Sequence, residues 1–561
     1  MAKPLFRLVI PRVPYPNVFS HIVMPPLGAL YVATAIERQG DWEVEVIDEL
    51  NWASKVSRRA LRADPIADHV DLQSRRPAQA VGFYGGLTST IPRLLRTSRF
   101  YKGLGIPTVA GGAHVDAVPE ESLRNGIDVV VHGEGEETIV EILRAWSGGA
   151  EISDIKGISY FAPDGGLRRT EKRPPICDLD AVLPTPNFDL MVERRRPLKI
   201  APFERTRGCN YKCEFCIVND RFGPSRSGSP ERVAAEVEKR VQSGYRTFFC
   251  VDDNFAQNRK ETLRLLDLLI DIQKQNRVKL SFTVQVRSSV GRDEELMRVM
   301  RAAGVSILCI GLESPISEEL KGMDKRQTPE QIERDIRAIH RQGFMIHGMF
   351  IFGYPIEHDE ELLQLSLRER ADRFYTFIKR TAIDSIQVLK PVPVPGSRLA
   401  ERLSNQGRIF PLNLVGWDKY DGNFLCFMPE GVSARELQEQ ATRILQRFYS
   451  PLSFLRFPVL AFETPVEILR LGFRSAREFA RDPQAYAQAA VRDRQRRYWA
   501  LRAGFADACE EIRRRWRNAA VRSMGCMIVS NWIRDAQHEQ FLRMLQKLQT
   551  ILLRRDAAAM E

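Results

Sequence analysis

Twice along this chain, short apolar runs alternate with stretches of helical period, and few folds accept that alternation. In the first 165 residues, strands are predicted at Leu5–Ile10, Val44–Ile47, Ala80–Phe83, Thr108–Ala110 and Val129–Val131. Helices are predicted between them at Gly28–Arg38, Thr90–Tyr101 and Glu136–Trp146. Strand and helix in turn imply an α/β fold with a doubly wound parallel sheet. Such a sheet holds its ligand at the carboxyl ends of its strands, near the point where strand order reverses. The loops at those ends are Gly85-Gly86-Leu87-Thr88-Ser89, Gly111-Gly112-Ala113-His114 and Gly133-Glu134-Gly135-Glu136. Their glycines let backbone approach a large ligand closely. No GxGxxG opens the first helix, which speaks against a dinucleotide.

A proline-rich connector, residues 166–197 (Arg173-Pro174-Pro175, Leu183-Pro184-Thr185-Pro186), leads to the second alternation at 198–400. Its strands are predicted at Thr247–Val251, Ser281–Val286, Ile307–Ile310, Met345–Phe352 and Ser385–Leu389. They recur at roughly thirty to forty residues, the spacing of a βα-barrel, in which catalytic groups sit at the carboxyl ends of strands. Asp252-Asp253-Asn254 follow the first strand, and Gln285 and Arg287 stand at the end of the second. Glu313-Ser314 follow the third, Gly353-Tyr354-Pro355 the fourth, and Pro393-Val394-Pro395-Gly396-Ser397 the fifth. Any one of these fits ordinary loop polarity; the joint pattern is harder to dismiss. From 401 to 561 helical period prevails, as in Ala434–Phe448 and Gln540–Leu553, and this region is expected to cap the barrel mouth and help define a substrate. A chain of 561 residues is too long for one core, in keeping with three domains at 1–165, 198–400 and 401–561.

Just after the connector stands Arg207-Gly208-Cys209-Asn210-Tyr211-Lys212-Cys213-Glu214-Phe215-Cys216. Three thiolates on one tight loop suit three irons of a cubane [4Fe–4S] cluster, since soft sulfur ligands select iron–sulfur chemistry. No fourth cysteine lies close by, so the fourth iron is left open to a substrate or cofactor. Structural zinc is the competing reading, but it takes four ligands, and the nearest further cysteines, Cys177 and Cys250, each stand alone.

The CxxxCxxC spacing with Phe215 before the third cysteine resembles the cluster loop of the radical S-adenosylmethionine (SAM) superfamily. The resemblance implies a partial (β/α)6 TIM barrel whose open iron is chelated by SAM, with Cys209, Cys213 and Cys216 as the metal ligands. It implies SAM contacts from Phe215, from Asp252, Asp253 and Asn254 where many relatives carry Gly-Gly-Glu, and from Gln285, Arg287, Glu313, Ser314 and Gly353. Arg287 or Gln285 would hold the SAM carboxylate or ribose, and Glu313 a ribose hydroxyl. The N-terminal domain resembles the flavodoxin-like, Rossmann-like cobalamin domain that precedes many such cores. The matching pieces are Pro25-Pro26-Leu27-Gly28, Pro107 through His114, and His132 through Glu136. Gly85, Gly86, Thr88, Ser89, Gly111, Gly112, His114, Gly133 and Glu134 would then contact cobalamin, with His114 and His132 at its nucleotide tail or bonded to backbone. The DxHxxG motif that ligates cobalt is absent. Methylthiotransferases of the superfamily need cysteines in this domain, and none precedes Cys177.

Together these pieces resemble the class B, cobalamin-dependent radical SAM enzymes, near hopanoid methylases and anaerobic magnesium-protoporphyrin ester cyclases. The implied activity is methylation of an unactivated carbon of a small, apolar molecule, through a 5′-deoxyadenosyl radical and methylcobalamin. A flavodoxin or ferredoxin would supply electrons. Ring closure or another C–H reaction on the same scaffold is the first alternative, and a non-catalytic iron–sulfur or zinc protein the second.

Composition is that of a globular chain, 44% hydrophobic and 27% charged. Nine cysteines without paired spacing make no disulfide framework and fit a reducing cytoplasm. Met1-Ala2-Lys3-Pro4 leads straight into a strand without the apolar stretch of a signal peptide, and no run of ~18 apolar residues spans a membrane. The net charge of +12 gathers late, at Arg492, Arg494, Arg496, Arg497, Arg502, Arg513, Arg514, Arg515 and Arg517, among Tyr498, Trp499, Leu501, Phe505, Ile512 and Trp516. Such basic amphipathic helices are most often solvated faces; docking to the inner face of an anionic membrane is the next expectation, and nucleic acid the last. Cys426, Cys509 and Cys526 lie far apart and read as buried small hydrophobes.

Overall fold

The structure is a computed structural model that describes residues 3–15, 23–148, 151–356, 365–466, 512–530, 533–534 and 538–560. Its first layer is a seven-stranded sheet of β1 Leu5–Ile10, β2 Glu43–Asp48, β3 Ala80–Tyr84, β4 Thr108–Gly111, β5 Val129–Val131, β6 Ile158–Phe161 and β7 Leu167–Arg169, in the order β2-β1-β3-β4-β5-β6-β7. The first five strands are parallel, and β6 and β7 close the edge as an antiparallel hairpin. All six residues of β1 are buried, because helices Leu27–Gln39 and Ile91–Gly103 pack on opposite faces. Strand order reverses between β1 and β3, so the crevice beside them is where a ligand belongs. The hairpin carries the sheet on to Arg169, so the expected domain end at about 165 falls in its turn. Nothing in the sequence pattern marked β7, whose three residues are all exposed.

The connector is packed rather than loose. Met191 bridges Val46 of β2, Asn187 N donates to Thr34 Oγ1 (2.9 Å), and Ile176 N donates to Glu134 Oε2 (2.7 Å). It ends at β8 Ile200–Phe203, a strand outside the predicted set whose run Pro202 interrupts; β8 is an edge strand, where proline is tolerated. A short antiparallel pair, β9 Thr206–Arg207 and β10 Arg226–Ser227, closes the cysteine loop at its base. The second sheet adds β11 Thr247–Cys250, β12 Ser281–Val286, β13 Val305–Glu313, β14 Met345–Ile351 and β15 Ser385–Leu389, in the order β15-β14-β13-β12-β11-β8, all parallel. It is a six-stranded barrel wall left open between β8 and β15, the partial barrel expected. Along β12, β14 and β15 residues alternate between buried and half-buried. The buried set (Phe282, Val284, Ile346, Phe350, Ile386, Val388) packs on the outer helices, and the other set lines the barrel interior.

In the C-terminal region the helix Ala434–Phe448 forms as predicted and packs on β15 and on helices Leu367–Arg380 and Glu539–Met560. The basic and aromatic positions 492–505, and Cys509, lie outside the described residues. Cys426 is buried as expected, whereas Cys526 is half-buried. No helix among the described residues is long and apolar enough to cross a membrane.

Candidate active site

The cysteine loop leaves β9 at Arg207, turns through Gly208 and returns to β10. Gly208 has φ +85° and lies so close to Gly223 O and Pro224 O that a Cβ would stand 2.6 and 2.7 Å from them, so only glycine closes this turn. Asn219 Nδ2 donates to Cys209 O (2.5 Å), and Cys216 N to Cys213 O (3.1 Å). Glu214, between the second and third cysteines, is held by Arg402 through both oxygens (2.6 and 2.9 Å) and by the Tyr354 hydroxyl (2.5 Å). Tyr354 also sets its ring edge-on to Phe215, with centroids 6.4 Å apart. The loop is thus clamped from the segment after β14 and from the helix Arg398–Asn405 that follows β15 Ser385–Leu389, leaving three thiols at the barrel mouth.

Burial pushes the Cys216 thiol up to about 12 and raises Cys209 as well, so a thiolate there needs a cation beside it, which iron supplies. Among the described residues no His, Cys, Asp or Glu group forms a ready-made site for a single ion. A cubane asks for something else, one thiolate on each of three irons, and the donor set fits it.

The expected SAM contacts gather at this mouth, several with protein partners. Asp252 is buried and accepts from Arg205 N (2.7 Å) and Thr206 N (3.0 Å), so it braces the strand that leads into the cysteine loop. Asn254 bonds Gln257 (2.9 Å), and Gln285 bonds Asp252 O (3.3 Å). Arg287 stacks on the Tyr211 ring at 3.8 Å and donates to Lys325 O (2.7 Å). Glu313 pairs with Lys325 (2.7 Å) and has φ +59°, a left-handed conformation unusual for a residue with a Cβ. Strain of that kind gathers at ligand sites. Ser314 is turned to Glu319 and to Ile316 N, and Gly353 packs against Leu437. Among the described residues Asp253 alone of its triplet has no hydrogen-bond partner. It faces a cavity, and burial, then Asp252 and Glu204, raise its carboxyl to about 7.

That cavity, about 310 Å³, lies between the carboxyl ends of the first sheet and the cysteine loop. Gly86, Gly111, Gly112, Gly133 and Glu134 line it, as do Gly28, Gly135, Arg207, Gly208, Val218 and Arg221. At Gly28 and Gly133 a Cβ would meet nothing within 4 Å, and at Gly111 and Gly135 nothing nearer than 3.6 Å. The floor is bare backbone that a side chain would fill, so a flat group such as part of cobalamin can approach it closely. Gly85 packs against Val115 instead, and Thr88 and Ser89 are buried in a short 3-10 turn. His114, expected at the nucleotide tail, does not line the cavity. It is buried between Thr88 (3.3 Å) and Glu121 (3.5 Å), edge-on to Trp417 of the C-terminal region at 4.8 Å. His132 bonds Asp116 (2.6 Å) and Ser159 (2.7 Å), and Asp116 in turn accepts from Gly133 N (3.0 Å), so this histidine shapes the glycine loop.

The cavity walls are joined by a buried ion network that the sequence did not announce. Arg207 reaches Glu134 (2.9 Å), Glu136 (2.7 Å) and Glu204 (2.8 Å), and Arg226 reaches Glu134 (2.9 Å). Burial opposes the charge on Glu134, but Arg226, Arg207 and the Ile176 N–H outweigh it and hold the carboxyl below its usual range. The pairs that involve Glu134 and Glu136 stand 71 to 92 residues apart, beyond any local pattern.

The chain matches the radical SAM superfamily model over residues 203–366 and the B12 binding domain model over residues 20–143. It is 30% identical over 407 residues to an uncharacterized methyltransferase of Pyrococcus horikoshii, covering 71% of this chain and 81% of that one. It is 26% identical to the anaerobic magnesium-protoporphyrin IX monomethyl ester cyclase of Rubrivivax gelatinosus (66% of each) and 25% identical to the hopanoid C-2 methylase of Rhodopseudomonas palustris (69% and 65%). For these last two the chain spans just under two thirds of the relative. Its fold matches the cobalamin-dependent SAM radical enzyme OxsB with aqua-cobalamin and SAM bound, at a TM-score of 0.61 and 14% identity over 99% of this chain and 80% of that one. With the cysteine loop, the open glycine floor and both domain matches in place, the chain belongs to the cobalamin-dependent radical SAM enzymes, whose cofactors are a [4Fe–4S] cluster, SAM and cobalamin.

Proposed function

We propose that this enzyme methylates an unactivated carbon of a small, apolar molecule. The observation that carries the reading is that both cofactor domains line one shared cavity, with Gly111 and Gly133 on one wall and Gly208 and Asp253 on the other. Bound there, the cluster with SAM supplies a hydrogen-abstracting radical and cobalamin supplies the methyl group. The chain's own residues do the positioning. The Glu214–Arg402–Tyr354 clamp fixes the cysteine loop, and Arg207 and Arg226 hold the two domains in register. The Asp253 carboxyl, raised by burial, faces the cavity from the cluster-bearing side.

A lipid-and-pigment extract of a strain lacking the gene, incubated with the reduced full chain and SAM bearing a deuterated methyl group, tests this. A product carrying the intact label supports methylation. A product that has lost hydrogens and gained no label supports the second reading, ring closure, which the likeness to the ester cyclase favours.

Two partners complete the proposal. A flavodoxin or ferredoxin is the electron donor. An anionic membrane surface is the docking partner, supported by an exposed apolar row, Leu452, Leu455, Val459, Phe462 and Val466, beside Arg447, Arg456 and Arg515. Flotation with phosphatidylglycerol vesicles but not with phosphatidylcholine vesicles is expected; equal flotation with both, or with neither, contradicts it.

A further inference from the structure

Arg221 lines the cavity from the helix Val218–Phe222, which begins two residues after the last cysteine of the loop. Its Nη2 donates to Gly133 O across the domain boundary (3.2 Å). Its Nε and Nη1 are buried and make no hydrogen bond, and among the described residues it has no ion pair. The acids around it are taken. Glu134 serves Arg207 and Arg226, Glu136 serves Arg207, and Asp116 serves His132 and Gly133 N. Burial pulls its pKa below the usual arginine value, with Asp116, Tyr84, Glu134 and Glu136 acting the other way. The guanidinium lies over the Phe222 ring (5.1 Å), yet two buried, idle donors are costly, and such groups persist where something else completes them.

We infer that Arg221 is a positioning residue for cobalamin, its Nε and Nη1 donating to an oxygen acceptor on the periphery of the cofactor. Cobalamin carries two such acceptors, the carbonyls of its ring amides and the phosphodiester of its nucleotide tail, and a guanidinium fork suits both. Because Arg221 stands five residues after Cys216, the cation that grips the cobalamin belongs to the cluster-bearing segment and not to the cobalamin domain. Seating the cofactor therefore fixes the approach of one centre to the other.

The test uses the full chain with its cluster in place, titrated with hydroxocobalamin and followed by visible absorbance. In Arg221→Gln the dissociation constant is expected to rise at least about tenfold. Iron content should be unchanged, and the cobalamin-free variant should melt no lower than the parent, because an uncompensated buried charge has been removed. Cobinamide, which lacks the nucleotide tail, separates the two acceptors. If it loses affinity equally, Arg221 holds a ring amide; if it is unaffected, Arg221 holds the phosphodiester. Arg221→Lys, which keeps the charge but loses the fork, carries the same comparison should the glutamine variant not fold. Unchanged hydroxocobalamin affinity overturns the inference. So does a cobalamin-free Arg221→Lys variant that melts well below the parent, which would make Arg221 a structural residue.

Discussion

β1 of the first sheet is buried at all six positions, whereas β12 of the barrel alternates, its Phe282, Val284 and Val286 buried and its Ser281, Thr283 and Gln285 half-open. Both belong to parallel βα sheets, yet they make room for ligands in different places. A sheet covered on both faces has space only beyond its strand ends, so the first domain meets its cofactor with glycine backbone. An open barrel wall has space along its inner face as well, so the second domain can line its mouth with charged and polar side chains. The seam between them is neither; it is a buried network of arginines and glutamates.

Cutting the seam should have the largest effect. Arg207→Met leaves Glu134, Glu136 and Glu204 with a buried cation missing, which is expected to cost about 3–5 kcal/mol of stability. Denaturant unfolding measures it, and a loss below about 1 kcal/mol would mean that the two domains do not depend on the network.

Filling the glycine floor should break one half of the comparison and spare the other. Gly111 has ordinary backbone angles, and a Cβ there meets nothing nearer than Val131 Cβ at 3.7 Å, so Gly111→Val should fold with its side chain in the cavity. Cobalamin affinity is expected to fall by about a hundredfold or more, since overpacking a formed site costs a few kcal/mol. Iron content and reductive SAM cleavage should be kept, because the cysteine loop is untouched. If both cofactors are lost together, the sites are not separable in this way.

The smallest effect concerns Glu236, at the same seam, whose two oxygens are buried without a hydrogen bond and whose nearest cation, Arg232, is 3.8 Å away. Burial, with Glu204 adding to it and Arg232 and Arg240 opposing, raises this carboxyl from 4.5 to about 7. The folded chain therefore binds the proton more tightly than the unfolded one, so this contribution to stability is fully present below pH 4.5 and is lost as pH rises through about 7. Glu236→Gln should flatten that loss by on the order of 2 kcal/mol between pH 5 and 8, read from melts across the range. An unchanged pH profile would show that the parent carboxyl titrates normally.

What the sequence made legible follows the range of its signals. The cysteine triplet is local, and the structure sets it at the barrel mouth with Asp253 and Arg287 near Cys209. The helix Ala434–Phe448 was legible to the residue because a serine cap and an uninterrupted apolar face define its start and length. β7 was missed for want of any buried residue, and β8 because Pro202 argues locally against a strand that only its edge position permits. His114 misled because its motif position implies a ligand, while Trp417, some three hundred residues later, turns out to cover it. Arg207 with Glu134, and Arg221 with Gly133, pair across the domain seam, and no pattern within one element encodes them.

Under the proposed methylation both centres act in one reaction, each using SAM differently. Anaerobic turnover of the reconstituted full chain with SAM, hydroxocobalamin and substrate extract should release S-adenosylhomocysteine and 5′-deoxyadenosine in equal amounts, one of each per product. 5′-Deoxyadenosine formed in step with product, without S-adenosylhomocysteine, would contradict methyl transfer and leave ring closure in its place.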